Sequence, residues 1–135
     1  MSASALSATR SASRRAALAG ALFGFLGVAA GAFGAHALKS RLEPSALTAF
    51  ETAVRYQIVH ALALLASSWA IQQWPGRIAN ASAIFFGVGI VLFSGSLYAL
   101  SLSGEHLLGA LTPIGGLFQL LGWLALALAA YRQKS

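Results

Sequence analysis

The chain has 135 residues, of which 58% are hydrophobic and 9% are charged, and its formal net charge is +6 at pH 7. Soluble domains carry about 25% charged residues, so this chain has too few charged side chains to cover a water-soluble fold. The apolar content also excludes intrinsic disorder, and the position of the basic residues at the ends of apolar segments argues against nucleic-acid binding. We therefore expect an integral membrane protein.

Four apolar stretches are long enough to cross a bilayer, which takes about 20 residues. They cover residues 16–35, 56–74, 78–102 and 107–131. Because the stretches are continuously apolar, they differ from the alternating strands of membrane β-barrels. The sequence predicts an all-α protein, a compact bundle of four transmembrane helices formed by residues 16–131. We expect a disordered basic tail at 1–15 and a second basic tail at 132–135.

Basic residues near the span ends predict the orientation. One side of the membrane receives six of them: Arg10, Arg14, Arg15, Arg77, Arg132 and Lys134. The other side receives three: Lys39, Arg41 and Arg55. We expect both termini in the cytoplasm and the protein in a bacterial inner membrane. The mitochondrial inner membrane is the alternative, because residues 1–15 have the composition of an organellar targeting segment, and processing of the N-terminus stays open.

Glycines recur in the first span at alternating steps of four and three residues. They are Gly20, Gly24, Gly27, Gly31 and Gly34. This spacing places them on one face of a helix, and we call that face the glycine stripe. Small residues let membrane helices approach closely. We expect the stripe to face another helix, either within the chain or across an oligomer.

A similar small-residue face occupies the fourth span, with Gly115, Gln119 and Gly122. An amide surrounded by lipid is costly unless it is paired, so we expect Gln119 to form a hydrogen bond with a neighbouring helix. Thr112 and Pro113 fit the N-cap and first position of this helix. One long helix kinked at Pro113 is the alternative.

The segment between the first two spans, residues 36–55, is the only one dense in charge. Pro44 predicts a helix start, after which apolar residues follow a helical stripe. We expect an amphipathic segment that protrudes from the membrane or breaks and lies in the interface. Glu51 and Arg55 are spaced for an ion pair on one helix face.

The predicted topology gathers polar residues at the non-cytoplasmic end. They are His36, Glu51, Arg55, Tyr56, Gln57 and His60, with Glu105 and His106 in the third loop. Imidazole and carboxylate groups could bind a metal ion, and His36 with His60 could hold a haem. No metal-binding spacing occurs, so we favour hydrogen bonding to loops and lipid headgroups and expect no cofactor or metal.

No catalytic motif is present, and Ser94 and Ser96 have the character of packing residues. We expect a protein that is not an enzyme and that packs with itself or with other membrane-protein subunits among the membrane lipids. The alternatives are a metal- or haem-binding protein and an oligomeric channel or carrier. The uncharged mid-membrane segments disfavour ion-coupled transport.

Five ordered motifs carry a resemblance to a known family. They are GAFGAH at 31–36, ETAVRYQIVH at 51–60, LFSGSLY at 92–98, TPIGG at 112–116 and GW at 122–123. The chain resembles domain-of-unknown-function family 423 over nearly its whole length. The resemblance implies a small bacterial multi-span membrane protein with mitochondrial relatives, and it supplies no mechanism.

Overall fold

The structure, a computed structural model, describes residues 1–133, so Lys134 of the expected basic tail lies outside the described residues. It is helical throughout, without a strand in the described part. Four helices, α1 to α4, follow each other along the chain: α1 Ala3–Phe33, α2 Pro44–Gln73, α3 Arg77–Ser103 and α4 Leu111–Tyr131. One turn of π-helix, Gly34–Leu38, extends α1, and a 3-10 turn, His106–Ala110, precedes α4.

Helix α1 begins well before the apolar stretch that predicts it. The structure places residues 3–15 in a regular helix rather than in the disordered tail that we expected. Ser2 caps this helix by accepting a hydrogen bond from the Ala5 backbone N–H at 3.2 Å. Ser13 is buried against α2, where its hydroxyl donates to the Ser68 carbonyl at 3.0 Å. The contact between α1 and α2 therefore extends to Ser13, three residues before the predicted span.

Helix α2 runs without interruption from the charged segment into the apolar one. Pro44 occupies its first turn, as predicted, where a missing N–H breaks no helical bond. At 30 residues, the helix is about 45 Å long, longer than the roughly 30 Å hydrocarbon core. The amphipathic segment is thus the first part of α2, and it does not form a separate interfacial helix.

The start of α4 differs from the predicted start by two residues. The helix begins at Leu111, so Thr112 lies inside its first turn and is not the N-cap. The Thr112 hydroxyl instead shares a 2.7 Å hydrogen bond with Ser96 of α3. Pro113 is the third helical residue, where its missing N–H is not needed. Gly104 ends α3 with a φ of 71°, a left-handed conformation that glycine adopts without strain.

The helices pack in chain order, each against the next. Extensive contacts join α1 to α2, α2 to α3 and α3 to α4, whereas α1 and α4 do not approach each other within the described residues. The two central helices are therefore α2 and α3, and the two edge helices are α1 and α4. One continuous buried cluster runs through the four helices by way of Ala16, Ile71, Ala79 and Ala129, without direct contact between α1 and α4 in the described part of the chain.

The glycine stripe of α1 faces α2, which decides between the two neighbours left open by the sequence. A Cβ atom added at Gly20 would lie 2.9 Å from the Ala61 carbonyl oxygen, and one at Gly34 would lie 2.9 Å from the Phe50 ring. Gly24, Gly27 and Gly31 also face α2 between these ends. The stripe is used within the chain.

Within residues 1–133, three helical segments are long and apolar enough to cross a membrane: Ala3–Leu38, Arg77–Ser103 and His106–Tyr131. Helix α2 falls outside this group, although the sequence predicts a span there. Its apolar part contains Gln57, His60, Ser67 and Ser68, and all four side chains are buried against other helices. These polar residues lower its mean hydropathy, and they define the site described next.

Candidate functional site: a polar core and an open groove on α2

Gln57 links three helices through its amide group. Its Nε2 donates to the Phe23 carbonyl of α1 at 2.8 Å, and its Oε1 accepts from the Tyr98 hydroxyl of α3 at 2.7 Å. Gly27 makes room for this side chain, because a Cβ there would lie 3.5 Å from the Gln57 Cγ. A buried amide with both ends paired helps to fix the positions of α1, α2 and α3.

His60 links α2 to the opposite edge helix. The indole Nε1 of Trp123 in α4 donates to the His60 Nε2 at 3.1 Å, and the His60 Nδ1 lies 2.7 Å from the Tyr56 carbonyl. Because an indole N–H only donates, Nε2 must be the acceptor and Nδ1 must carry the hydrogen. The Phe86 ring, 5.7 Å away between centroids, packs against the imidazole.

The residues predicted as one polar cluster are divided by the structure. Gln57 faces α1 and α3, and His60 faces α4, with both buried within the packed helices. Glu51 and Arg55 are exposed near Gly34, lining a shallow pocket between α1 and α2. They do not form the expected ion pair in the described structure. His36 is exposed on the π-helical turn.

The described residues 1–133 bring no three His, Asp or Glu side chains close enough to hold a metal ion. Both ring nitrogens of His60 are already engaged by Tyr56 and Trp123. A metal or haem ligand must offer a free nitrogen lone pair, so His60 would have to give up Trp123 first. The geometry thus gives no support to a metal or haem site at His36 and His60.

The buried serines form hydrogen bonds between helices. The Ser94 hydroxyl of α3 donates to the Ala53 carbonyl of α2 at 2.7 Å, and the Ser82 hydroxyl donates to that of Ser67 at 2.9 Å. Each of these side chains is at most 1% exposed. The serines therefore serve the packing of α2 against α3, as the sequence predicts for Ser94.

An open groove of about 750 Å³ lies between α2 and α4, with α3 as its floor. We call it the α2–α4 groove. Aromatic side chains line it together with a few polar ones: Arg55, Tyr56, His60, Phe93, Gln119 and Trp123. It exists because α2 and α4 are both packed on α3 and only lightly on each other. Ligand sites commonly have 300–1,000 Å³ and this mixture of apolar and polar walls.

Gln119 is the unexpected member of this groove. We expected its amide to bond with a neighbouring helix, but its Nε2 is fully buried and has no hydrogen-bond partner within the described residues. The side chain is 3% exposed, and its Cγ fills the space beside Gly89, where a Cβ would lie 2.7 Å away. Helical spacing shows that Gln119 is buried, but only coordinates show that the amide is unpaired.

Sequence reasoning did not identify the partners that complete this core: Tyr98, Phe86, Phe93 and Trp123. Tyr98 and Trp123 lie within motifs that carry the family resemblance, which was the available signal. Their pairing with α2 joins residues 41 and 63 positions apart in the chain. Spacing along one helix carries no information about such distant partners.

Comparisons with known proteins identify similar membrane proteins. Residues 30–116 match the family model "Protein of unknown function (DUF423)". A "UPF0382 membrane protein" of Haemophilus influenzae is 42% identical over 85% of this chain and 92% of its own length. The "UPF0382 inner membrane protein YgdD" of Escherichia coli K12 is 40% identical over 84% of this chain and 87% of its own. No solved structure matches the chain.

Proposed function

The chain belongs to the DUF423 family of membrane proteins, and from this premise we propose that it is a four-span, non-enzymatic accessory protein of a bacterial inner membrane. In this proposal α2 crosses the membrane together with α1, α3 and α4, which gives four spans. Both termini are cytoplasmic, and an edge helix packs against a second copy or another membrane protein. A mitochondrial inner membrane would preserve the same arrangement.

The side chains on the outer face of α2 support its role as a membrane span. Gln57, His60, Ser67 and Ser68 are buried, and the large apolar side chains that α2 exposes include Leu62 at 62% and Trp69 at 55%. A helix with an apolar outer face and a paired polar inner face is suited to lipid. The mean hydropathy of α2 is therefore low because the helix carries polar side chains that contact other helices, and not because it faces water.

Cysteine scanning tests the topology directly, because the chain has no cysteine of its own. Four single variants each place one thiol ahead of one span. Ser4→Cys lies near the start of α1, and Ser40→Cys, Gly76→Cys and Glu105→Cys lie in the connections before α2, α3 and α4. We expect a membrane-impermeant maleimide to label Ser40→Cys and Glu105→Cys in intact cells, and the other two only after lysis. Equal labelling of Ser40→Cys and Gly76→Cys in intact cells would contradict a spanning α2.

The accessory role is supported mainly by the chain-order packing of the helices, which leaves the outer faces of the two edge helices uncovered. Helix α1 has only α2 as an extensive neighbour, and 17% of the residues in its most apolar stretch are buried, against 28% in α3 and in α4. Its outer face presents Leu22 at 62% and Phe25 at 71% exposure. We infer that this face, and not the glycine stripe, contacts the partner.

The proposal of a non-enzymatic role is supported by how the polar side chains are used. The hydroxyls of Ser67, Ser82 and Ser94 are engaged in helix contacts, and His60 is held between Tyr56 and Trp123. A nucleophile paired with a free general base would be the mark of hydrolytic chemistry. These groups instead stabilise the arrangement of helices that presents the outer faces.

Native mass spectrometry of the protein extracted from its own membrane in mild detergent tests the accessory role. We expect a mass that exceeds one 13.9 kDa chain by at least a second polypeptide, and not by a bound lipid alone. The paired variant Leu22→Ala with Phe25→Ala should reduce it to that of the single chain. Its control is Ile84→Ala with Val91→Ala, which changes two similarly exposed residues, at 64% and 58%, on the central helix α3. A single-chain mass for the unaltered protein would contradict the proposal.

A further inference from the structure

The Gln119 side chain lies beside the α2–α4 groove, and its amide Nε2 has no hydrogen-bond partner within the described residues. A buried N–H without an acceptor destabilises a fold, and more so where water is excluded. Gln119 lines the groove. Its Nε2 is enclosed in this rotamer, and rotation about the terminal torsion would bring the N–H groups to the position of Oε1, which is not among the enclosed unpaired atoms. A molecule in the groove that offers an acceptor oxygen would pair the amide, which a bare hydrocarbon chain cannot do.

A second unpaired group lies in the same groove. Arg55, at the end of the groove near the start of α2, is exposed and forms no ion pair within residues 1–133. A guanidinium group binds phosphate through two parallel hydrogen bonds. The groove therefore presents a cation that suits an anion and an amide that suits a neutral carbonyl.

The walls of the groove suit acyl chains. Tyr56 and Phe93 stack with ring centroids 4.4 Å apart, and Trp123 is fixed by its hydrogen bond to His60. Together with the leucines of α4, they form an apolar surface that is open to the side. In a membrane, this opening faces lipid, so a lipid can enter without crossing water.

We propose that the α2–α4 groove binds one anionic glycerophospholipid, with its phosphate at Arg55 and an ester carbonyl at Gln119. This molecule carries both required groups next to its acyl chains. A transmembrane helix of a partner protein would satisfy the groove less well, because its backbone carbonyls are already bonded within the helix. The inference rests on α2 as a membrane span, as proposed above, and it is independent of the accessory role.

The test uses the full-length protein in detergent, titrated with dioleoylphosphatidylglycerol, dioleoylphosphatidylcholine or oleate and followed by native mass spectrometry. We expect one phosphatidylglycerol to bind about tenfold more tightly than phosphatidylcholine. Arg55→Gln should remove this preference, whereas Gln119→Leu should weaken the binding of both phospholipids because both have ester carbonyls. Arg41→Gln and Gln73→Leu, which change exposed residues outside the groove, serve as matched controls.

Thermal unfolding separates a binding role of Gln119 from a purely structural one. Without lipid, Gln119→Leu should raise the melting temperature, because it removes an unpaired buried amide. With phosphatidylglycerol added, the unaltered protein should gain more stability than this variant. Unchanged lipid binding by Gln119→Leu would overturn the proposal. So would tighter binding of oleate than of phosphatidylglycerol, or a protein partner that shields the groove from lipid.

Discussion

The two edge helices are attached by glycines in different ways. Along α1, the glycine stripe mostly meets side chains of α2, such as Ile58 and Val54, whose ends can move. On α4, Gly115 meets the backbone of α3 itself, because an added Cβ would lie 2.7 Å from the Phe93 Cα. A glycine stripe in a sequence therefore marks close approach, and the opposing atoms determine how strictly glycine is required.

The largest effect is expected for Gly115→Ala. The added methyl group would overlap the backbone of Phe93 and Leu92, so α3 and α4 must separate. Such overpacking costs about 3 kcal/mol at its upper end. The measurement is the free energy of unfolding in detergent, obtained from a denaturant titration.

Gly116→Ala is the matched control for this substitution. The two glycines are neighbours in α4, but a Cβ at position 116 would lie 3.7 Å from the Phe93 ring, which is ordinary contact. We expect this variant to remain within about 0.5 kcal/mol of the unaltered protein. Equal losses for both variants would show that flexibility of this helix, and not backbone contact, requires the glycines.

The sequence predicts those features of this fold that depend on residues near each other in the chain, and it does not predict contacts between distant residues. Continuous apolar runs predict the helices, and the spacing of the glycines predicts a contact face, because both depend on residues close together in the chain. The helix that the stripe meets, the unpaired amide of Gln119 and the burial of His60 depend on residues of other helices. The burial of Ser13 likewise depends on its distant contact with Ser68.

Gly122→Ala should have the next largest effect. Its Cβ would lie 2.6 Å from the ring of Phe86, which is 0% exposed and packed against Trp123 at 5.1 Å between centroids. The ring has little space to move, but it is a side chain, so we expect about 2 kcal/mol of destabilisation. The same denaturant titration checks the value. A loss as large as that of Gly115→Ala would remove the distinction between backbone and side-chain contacts.

A smaller effect is expected for Ser13→Ala, which tests the polar end of the α1–α2 contact. Ser13 exchanges hydrogen bonds with Ser68 and accepts one from the Gln72 Nε2 at 2.8 Å. Hydrogen bonds between membrane helices contribute about 0.6 kcal/mol on average, so we expect about 1 kcal/mol for this group. In the same variant, the amide hydrogens of residues 3–12 should exchange faster. Ser7→Ala, whose hydroxyl bonds only within α1, is the control and should leave exchange unchanged.

The smallest effect, with the opposite sign, is expected for Gly24→Ala. The stripe has a gap at this position, since the nearest atom to an added Cβ would be the Ala61 Cβ at 3.9 Å. The methyl group would fill space between α1 and α2 and favour the helix, for a gain in stability of about 0.5 kcal/mol.

Gly27→Ala, three residues along the same stripe, should instead destabilise the protein by about 1 kcal/mol. Its Cβ would lie 2.8 Å from Ile58 and close to the paired amide of Gln57. Opposite signs for these two variants in a denaturant titration would establish that the α1–α2 contact is not uniformly tight, whereas equal destabilisation would require closer packing at Gly24 than the structure has.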